Sequence, residues 1–216
     1  HEINNPLAII CSKAQQIHDR ISNNDFTQEY LIQNLKKISD TGFRIAHIVK
    51  SLQTFSREPN NDPFELISIE QLIQDSVALC SSKINSNQVK INVSIEHDTK
   101  IKCQTGQMSQ LIVNVINNAI DSTSNLSPEK RWININSQIN QNQNFLKLII
   151  TDGGNGIPYN HRDRIMEPFF TTKGIGKNLG LGLSVAKGII ENHNGKIYFD
   201  FNAKVTTLII DIPYFD

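Results

Sequence analysis

Four short boxes hold the residues of this chain whose types and spacing could do chemistry. His1-Glu2-Ile3-Asn4-Asn5-Pro6-Leu7 opens it and Asn114-Val115-Ile116-Asn117-Asn118-Ala119 stands mid-chain. Asp152-Gly153-Gly154-Asn155-Gly156-Ile157 follows, then Gly180-Leu181-Gly182-Leu183. An imidazole beside a carboxylate can act as a nucleophile, one ring nitrogen attacking while the carboxylate holds the proton on the other. Asn114 and Asn118 fall one helical turn apart, and their amide oxygens suit a hard cation such as Mg2+, which keeps several waters and bridges phosphates. A carboxylate at a strand end can accept a hydrogen bond from the exocyclic amine of adenine, where guanine presents a carbonyl, and the glycines after Asp152 allow close approach. Backbone amides at a helix N-terminus, as in the Gly180–Leu183 box, hold phosphate. Singly, each box has a plain explanation: a solvated helix start, amides capping strands, a turn. Their order predicts a nucleotide site that delivers phosphate to a histidine.

Composition narrows the setting. Lys plus Arg equals Asp plus Glu at 21 each, so no basic field recruits nucleic acid or an anionic membrane. At 38% apolar and 19% charged the 216 residues describe a globular chain with room for one large or two smaller domains. Apolar runs such as Leu146 to Ile150 are far too short to span a bilayer, and nothing resembles a secretory signal. Cys11, Cys80 and Cys103 have no metal-ligand spacing and are expected as reduced core cysteines of a cytoplasmic protein, whose parent is free to be membrane-anchored. The chain opens on His rather than Met, which predicts native sequence before it. A helix starting at His1 would then lack its preceding turn, so adding two upstream turns should raise any phosphorylation there.

Two elements must position these boxes. Ile3, Leu7, Ile10, Ala14, Ile17 and Ile21 alternate spacings of four and three, as do Leu31, Leu35, Ile38, Gly42, Ile45, Val49 and Leu52. Asn23-Asn24-Asp25 separates them, so residues 1–57 are expected to form a helical hairpin. One hairpin cannot enclose a core, and two copies forming a four-helix bundle would solve this. On that bundle His1 and Asn5 face away from the seam, at the head of a stripe through Ala8, Ser12, Gln15 and Asp19. Pro6 should bend the helix beside His1. Residues 58–64, with Pro59 and Pro63, read as a linker. In residues 65–216 the spacing predicts a helix from Ser68-x-x-Gln71 to about Ser82, strands at Val89–Ile95 and Ile101–Gln104, and a helix over Gly106–Ser122. Strands follow at Trp132–Ile139 and Phe145–Thr151, then a helix near Leu183–Asn192 and strands at Lys196–Phe201 and Thr206–Ile212. The class is α+β: a helical hairpin, then an α/β sandwich with helices on one face of a mixed sheet.

The boxes resemble those of the catalytic core of two-component sensor histidine kinases, over essentially the whole chain. HEINNPL is similar to the H box, Asn114–Ala119 to the N box, DGGNGI to the G1 box, EPFFTTK to the F box and GLGL to the G2 box. EPFFTTK followed by GLGLS is most similar to the subgroup of nitrogen-regulation and dicarboxylate-sensing kinases. The resemblance implies a dimerisation and phosphotransfer hairpin followed by a Bergerat-type ATP-binding domain that uses ATP and Mg2+. It makes His1 the phosphoacceptor, Glu2 its proton acceptor, and Asn5 the residue that orients water when a partner aspartate is dephosphorylated. Asn118 would ligand Mg2+ with Asn114 beside it, and Asp121, Asp152, Gly154, Gly156, Ile157 and Thr206 would line the nucleotide. Phe170, Thr171, Thr172 and Lys173 would belong to a lid closing on it, and Gly180, Leu181, Gly182 and Leu183 would meet its phosphates; Lys177 reads as loop surface. Related ATPases of this fold carry a glutamate where Asn114 stands, so transfer to histidine is favoured over hydrolysis. Implied partners are a second copy through residues 1–57 and a response-regulator receiver domain, without nucleic acid or membrane contact. Two departures bear on the lid and the last strand: Asn178 and Leu179 stand where the family has a glycine and a small residue, and Val205-Thr206-Thr207-Leu208 keeps only the Thr of Gly-Thr-x-Phe. Other readings are a Bergerat-type ATPase of the chaperone or topoisomerase kind, which leaves HEINNPL unexplained, and a catalytically weak scaffold that dimerises and docks a regulator.

Overall fold

The computed structural model describes residues 3–56, 63–95, 99–140, 144–172 and 180–214. His1, Glu2, Lys173, Lys177, Asn178 and Leu179 therefore lie outside the described residues. Two compact units make up the chain, one containing a helical hairpin and the other the sheets.

The hairpin consists of α1 (Asn4–Ser22) and α2 (Gln28–Ser56). Asn24 turns the chain with φ 53°, a left-handed conformation that asparagine tolerates, and the Asp25 N–H donates to the Arg20 carbonyl at 2.9 Å. Thr27 caps α2 by accepting the Tyr30 N–H at 3.1 Å, and the Arg20 guanidinium lies 4.4 Å from the Tyr30 ring centroid, tying the helices at the turn. Within one hairpin the seam is only partly covered: Leu7 remains 48% and Leu35 55% exposed. Pro6 falls in the first turn of the described helix, where its missing N–H needs no helical partner; the bend expected beside His1 lies outside the described residues.

In the second unit, β1 (Glu65–Ser68) leads into α3 (Ile69–Leu79), α4 (Ser81–Asn87) and β2 (Lys90–Ser94). Then come β3 (Lys100–Cys103), α5 (Thr105–Thr123), β4 (Trp132–Asn140) and β5 (Phe145–Asp152). α6 (Gly182–Asn192), β6 (Lys196–Phe199) and β7 (Thr206–Pro213) complete it. One sheet runs β2-β4-β5-β7-β6, with β2 parallel to β4 and the other pairs antiparallel; β1 and β3 form a separate antiparallel ribbon. Register places Ile135 opposite Ile150, and Leu148 opposite Ile210, so the buried phases of three strands share one face. α5 buries Met108, Leu111, Ile112, Val115, Ile116, Ala119 and Ile120, the stripe that a 3.6-residue period delivers, on the side away from its asparagines.

Several expectations are corrected. The single helix to about Ser82 is two helices: Cys80 joins them in a tight turn, its N–H donating to the Val77 carbonyl at 3.0 Å. Ser68 caps α3 by accepting the Gln71 N–H, but the Gln71 side chain donates to Asp75 rather than reaching back, so only half a capping box forms. Residues 65–68 form an unforeseen strand paired with β3. Phe64, at the end of the expected linker, rests its ring 5.0 Å from that of His193. Cys80 and Cys103 are core thiols, their pKa values raised by burial, Cys103 to about 11; Cys11 is exposed, because it falls between the seam positions Ile10 and Ala14.

Candidate nucleotide site

β5 sets one end of the site. Leu146, Leu148 and Ile150 occupy its buried phase, and Asp152 is the next residue in that phase, so the alternation that builds the core carries a carboxylate to the rim at 4% exposure. The Gly154 N–H donates to its Oδ1 at 2.8 Å, and the hydroxyls of Ser122 and Thr206 also bond it. Ser122 has a second acceptor, the Ala119 carbonyl at 2.9 Å, and with one proton it serves one of them at a time. Burial pushes the Asp152 pKa up; the Gly154, Ser122 and Thr206 bonds oppose this without cancelling it. A Cβ on Gly154 would lie 2.5 Å from Asp152 Oδ1, so only glycine brings its amide to the carboxylate. Gly156 turns with φ +76° into open space, and Ile157 beyond it is half-buried.

α5 connects this end to the other. Asn114, Asn118, Asp121 and Ser122 fall within one helical stripe. Ser122 touches Asp152, while Asn114 and Asn118, both half-buried, approach the first residue of α6: a Cβ on Gly182 would meet Asn118 Nδ2 at 3.6 Å and Asn114 Cβ at 3.9 Å. Asn114 to Ser122 spans about 12 Å at 1.5 Å per residue, so the two ends of the stripe are well separated. Leu183 beside Gly182 is half-buried, whereas Leu181 points into the core and serves as an anchor. Asp121 forms an ion pair with Lys83 of α4 at 2.6 Å.

The segment expected as a lid has a defined base. Gly180 takes φ +68°, and a Cβ there would sit 2.2 Å from the Phe170 carbonyl oxygen, so the residues flanking 171–179 meet backbone to backbone. Phe170 is held by the His161 ring at 5.4 Å and by the Arg164 guanidinium at 4.9 Å. Thr171 and Thr172 are exposed. In the hairpin, Asn5, Ala8, Ser12, Gln15 and Asp19 are exposed, and Gln15 donates to Asp19 at 2.8 Å.

Sequence reasoning missed Ser122, Lys83 and His193. Ser122 was detectable, one turn beyond Asn118 on the same stripe; Lys83 had no local signal, since its partner is remote in sequence. His193 accepts the Gln104 N–H, and its pKa is lowered by burial.

Residues 103–215 match the family described as histidine kinase-, DNA gyrase B- and HSP90-like ATPase. Sporulation kinase A of Bacillus subtilis is 32% identical over 215 residues, 99% of this chain and 33% of that protein. The C4-dicarboxylate transport sensor protein DctB of Pseudomonas aeruginosa is 30% identical over 91% of this chain and 31% of its own length. The chain thus spans about a third of these curated relatives. Among solved structures, histidine kinase ThkA in complex with response regulator protein TrrA aligns over 100% of this chain and 59% of that one, at 25% identity and TM-score 0.73. The chain belongs to the histidine kinase-, DNA gyrase B- and HSP90-like ATPase family, and within it has the make-up of a sensor histidine kinase catalytic core.

Proposed function

We propose that this chain phosphorylates His1 from Mg2+-ATP within a homodimer joined through residues 1–57, and passes the phosphate to an aspartate of a response-regulator receiver domain. The observation that carries this is the division of α5, which sets Ser122 against Asp152 at one end and Asn114 with Asn118 against Gly182 near the other. Asp152 accepts from the adenine amine, and the amides at the start of α6 receive the phosphates. Among the described residues no group of three His, Cys, Asp or Glu could hold a metal alone. Two amide oxygens beside a phosphate site suit Mg2+ that arrives with the nucleotide, held by Asn118 with Asn114 next to it. When bound, Mg2+ neutralises charge on the phosphates.

A ring nitrogen of His1 attacks the γ-phosphorus, the bond to the β–γ bridging oxygen breaks, and ADP leaves. Glu2 takes the proton from the other ring nitrogen. Residues 58–64 act as the hinge that brings residues 65–216 to the histidine. Asn5, exposed on the first turn of α1, orients water when a receiver aspartate is dephosphorylated. Use of ATP and of a receiver-domain partner assigns this part of the protein to the cytoplasm in this reading; no helix among the described residues is long and apolar enough to cross a membrane.

Incubation with Mg2+ and [γ-32P]ATP tests the reading. Acid-labile, base-stable label on the wild type and none on His1→Gln is expected. Steady ATP turnover without phosphohistidine would make the chain an ATPase of the same fold. No ATP binding by calorimetry would leave a dimerising scaffold.

A further inference from the structure

Lys83 stands outside every box, yet its ammonium lies 2.6 Å from Asp121 and 3.5 Å from the Asn117 carbonyl. Asp121 follows Asn118 by three residues and Asn114 by seven, placing it on the stripe that faces the start of α6. Its side chain is 19% exposed. A carboxylate half-withdrawn from water, one turn from the phosphate site proposed above, would repel a triphosphate. We infer that Lys83 is a positioning residue for the nucleotide: it neutralises Asp121, fixes it on its stripe, and so makes the phosphate end receptive to highly charged nucleotides. The inference rests on the nucleotide site proposed above. Lys83 comes from α4, and its side chain is 38% exposed. Of its three donors, one is spent on Asp121 and one is directed at Asn117.

The prediction has a signature that a merely structural ion pair lacks: the effect must scale with phosphate number. In calorimetric titrations of the whole chain with ATP, ADP and adenosine in Mg2+ buffer, Lys83→Met should weaken ATP about tenfold, the scale of a charged hydrogen bond. ADP should weaken less and adenosine not at all. Lys83→Arg should bind ATP as the wild type does. Equal weakening of all three ligands, unchanged ATP binding by Lys83→Met, or a Lys83→Arg chain as weak as Lys83→Met would overturn the assignment. A wild type that binds none of the three would instead overturn the nucleotide site itself.

Discussion

The backbone N–H of Gln104 donates to His193 Nε2 at 3.1 Å, and the other ring nitrogen, Nδ1, stands 2.8 Å from the Ile189 carbonyl. A backbone N–H can only donate, so Nε2 accepts, Nδ1 carries the proton, and the imidazole is neutral. His193 is 5% exposed, and its ring joins the end of α6 to the start of α5 and supports Phe64. Burial lowers its pKa from 6.5, so below about pH 6.5 the unfolded chain binds the proton more readily than the folded one. The stability His193 contributes is therefore complete above that pH and is lost as pH falls toward the lowered folded value. Urea melts at pH 7.5 and 5.5 should show the wild type weakening on acidification. His193→Leu, which removes the acceptor for Gln104, should cost roughly 1–3 kcal/mol at pH 7.5 and show a shallower pH slope. An equal slope in the two proteins would assign the acid sensitivity elsewhere.

Asp152 behaves in the opposite sense. Its pKa is raised by burial, so the folded state holds the proton more tightly and stability falls as pH rises from 3.8 through the raised value. At neutral pH its charge is a cost to the fold, and the proposed function uses that charge as the acceptor for the adenine amine. Asp152→Asn keeps an acceptor for the Gly154 N–H and removes that cost. The variant should melt no lower than wild type at pH 7 while losing ATP affinity by roughly ten- to a hundredfold, the range for a charged hydrogen bond. A drop in melting temperature, or ATP affinity left intact, would count against the role given to this carboxylate.

Asp152 was legible because it continues a phase the eye can follow: Leu146, Leu148 and Ile150 fix the inward side of β5, and the carboxylate falls on it. The asparagines of α5 were legible for the same reason with a period of 3.6. Lys83 was not, because an ion pair between remote segments leaves no mark in local periodicity, and a lysine on a short polar helix looks like solvated surface. The strand at Glu65–Ser68 escaped because its pairing comes from β3, remote in sequence, and the break at Cys80 because the stretch around it has a composition that permits a continuous helix. β2 alternates as a half-buried strand should, yet Val93 is 39% exposed because β2 is an edge strand.

Two glycines of one box should respond differently to the same methyl group. At Gly180 the left-handed backbone costs an L-residue roughly 1–2 kcal/mol, and a Cβ would strike the Phe170 carbonyl oxygen at 2.2 Å. Gly180→Ala should therefore lower the melting temperature and loosen the base of the expected lid. At Gly182 the nearest atom to a new Cβ is Asn118 Nδ2 at 3.6 Å, an ordinary contact. Gly182→Ala should fold as well as wild type and bind ATP more weakly, because its methyl group lies where phosphate approaches the amides. Thermal melts with and without nucleotide separate the two effects, and equal behaviour of the two variants would contradict the geometry.

The hairpin makes its own demand. Leu7, Ile21, Leu35 and Val49 belong to the predicted seams, yet they remain between 38% and 55% exposed when one hairpin is taken alone. A second copy would cover them at about 25 cal/mol for each Å2 removed from water, and the symmetric arrangement uses the same face twice. Leu35→Asp would then place a carboxylate from each copy in a buried seam without a cation to meet it, a cost of several kcal/mol per ion. Sedimentation equilibrium should show a wild-type dimer and a Leu35→Asp monomer. Lys36→Ala, one residue off the seam, should stay dimeric, because a helix turns 100° between neighbours and carries that side chain away from the partner. Loss of the dimer should also abolish phosphorylation if the phosphate passes between copies and spare it if each copy serves itself. A Leu35→Asp chain that remains dimeric would move the association to another surface.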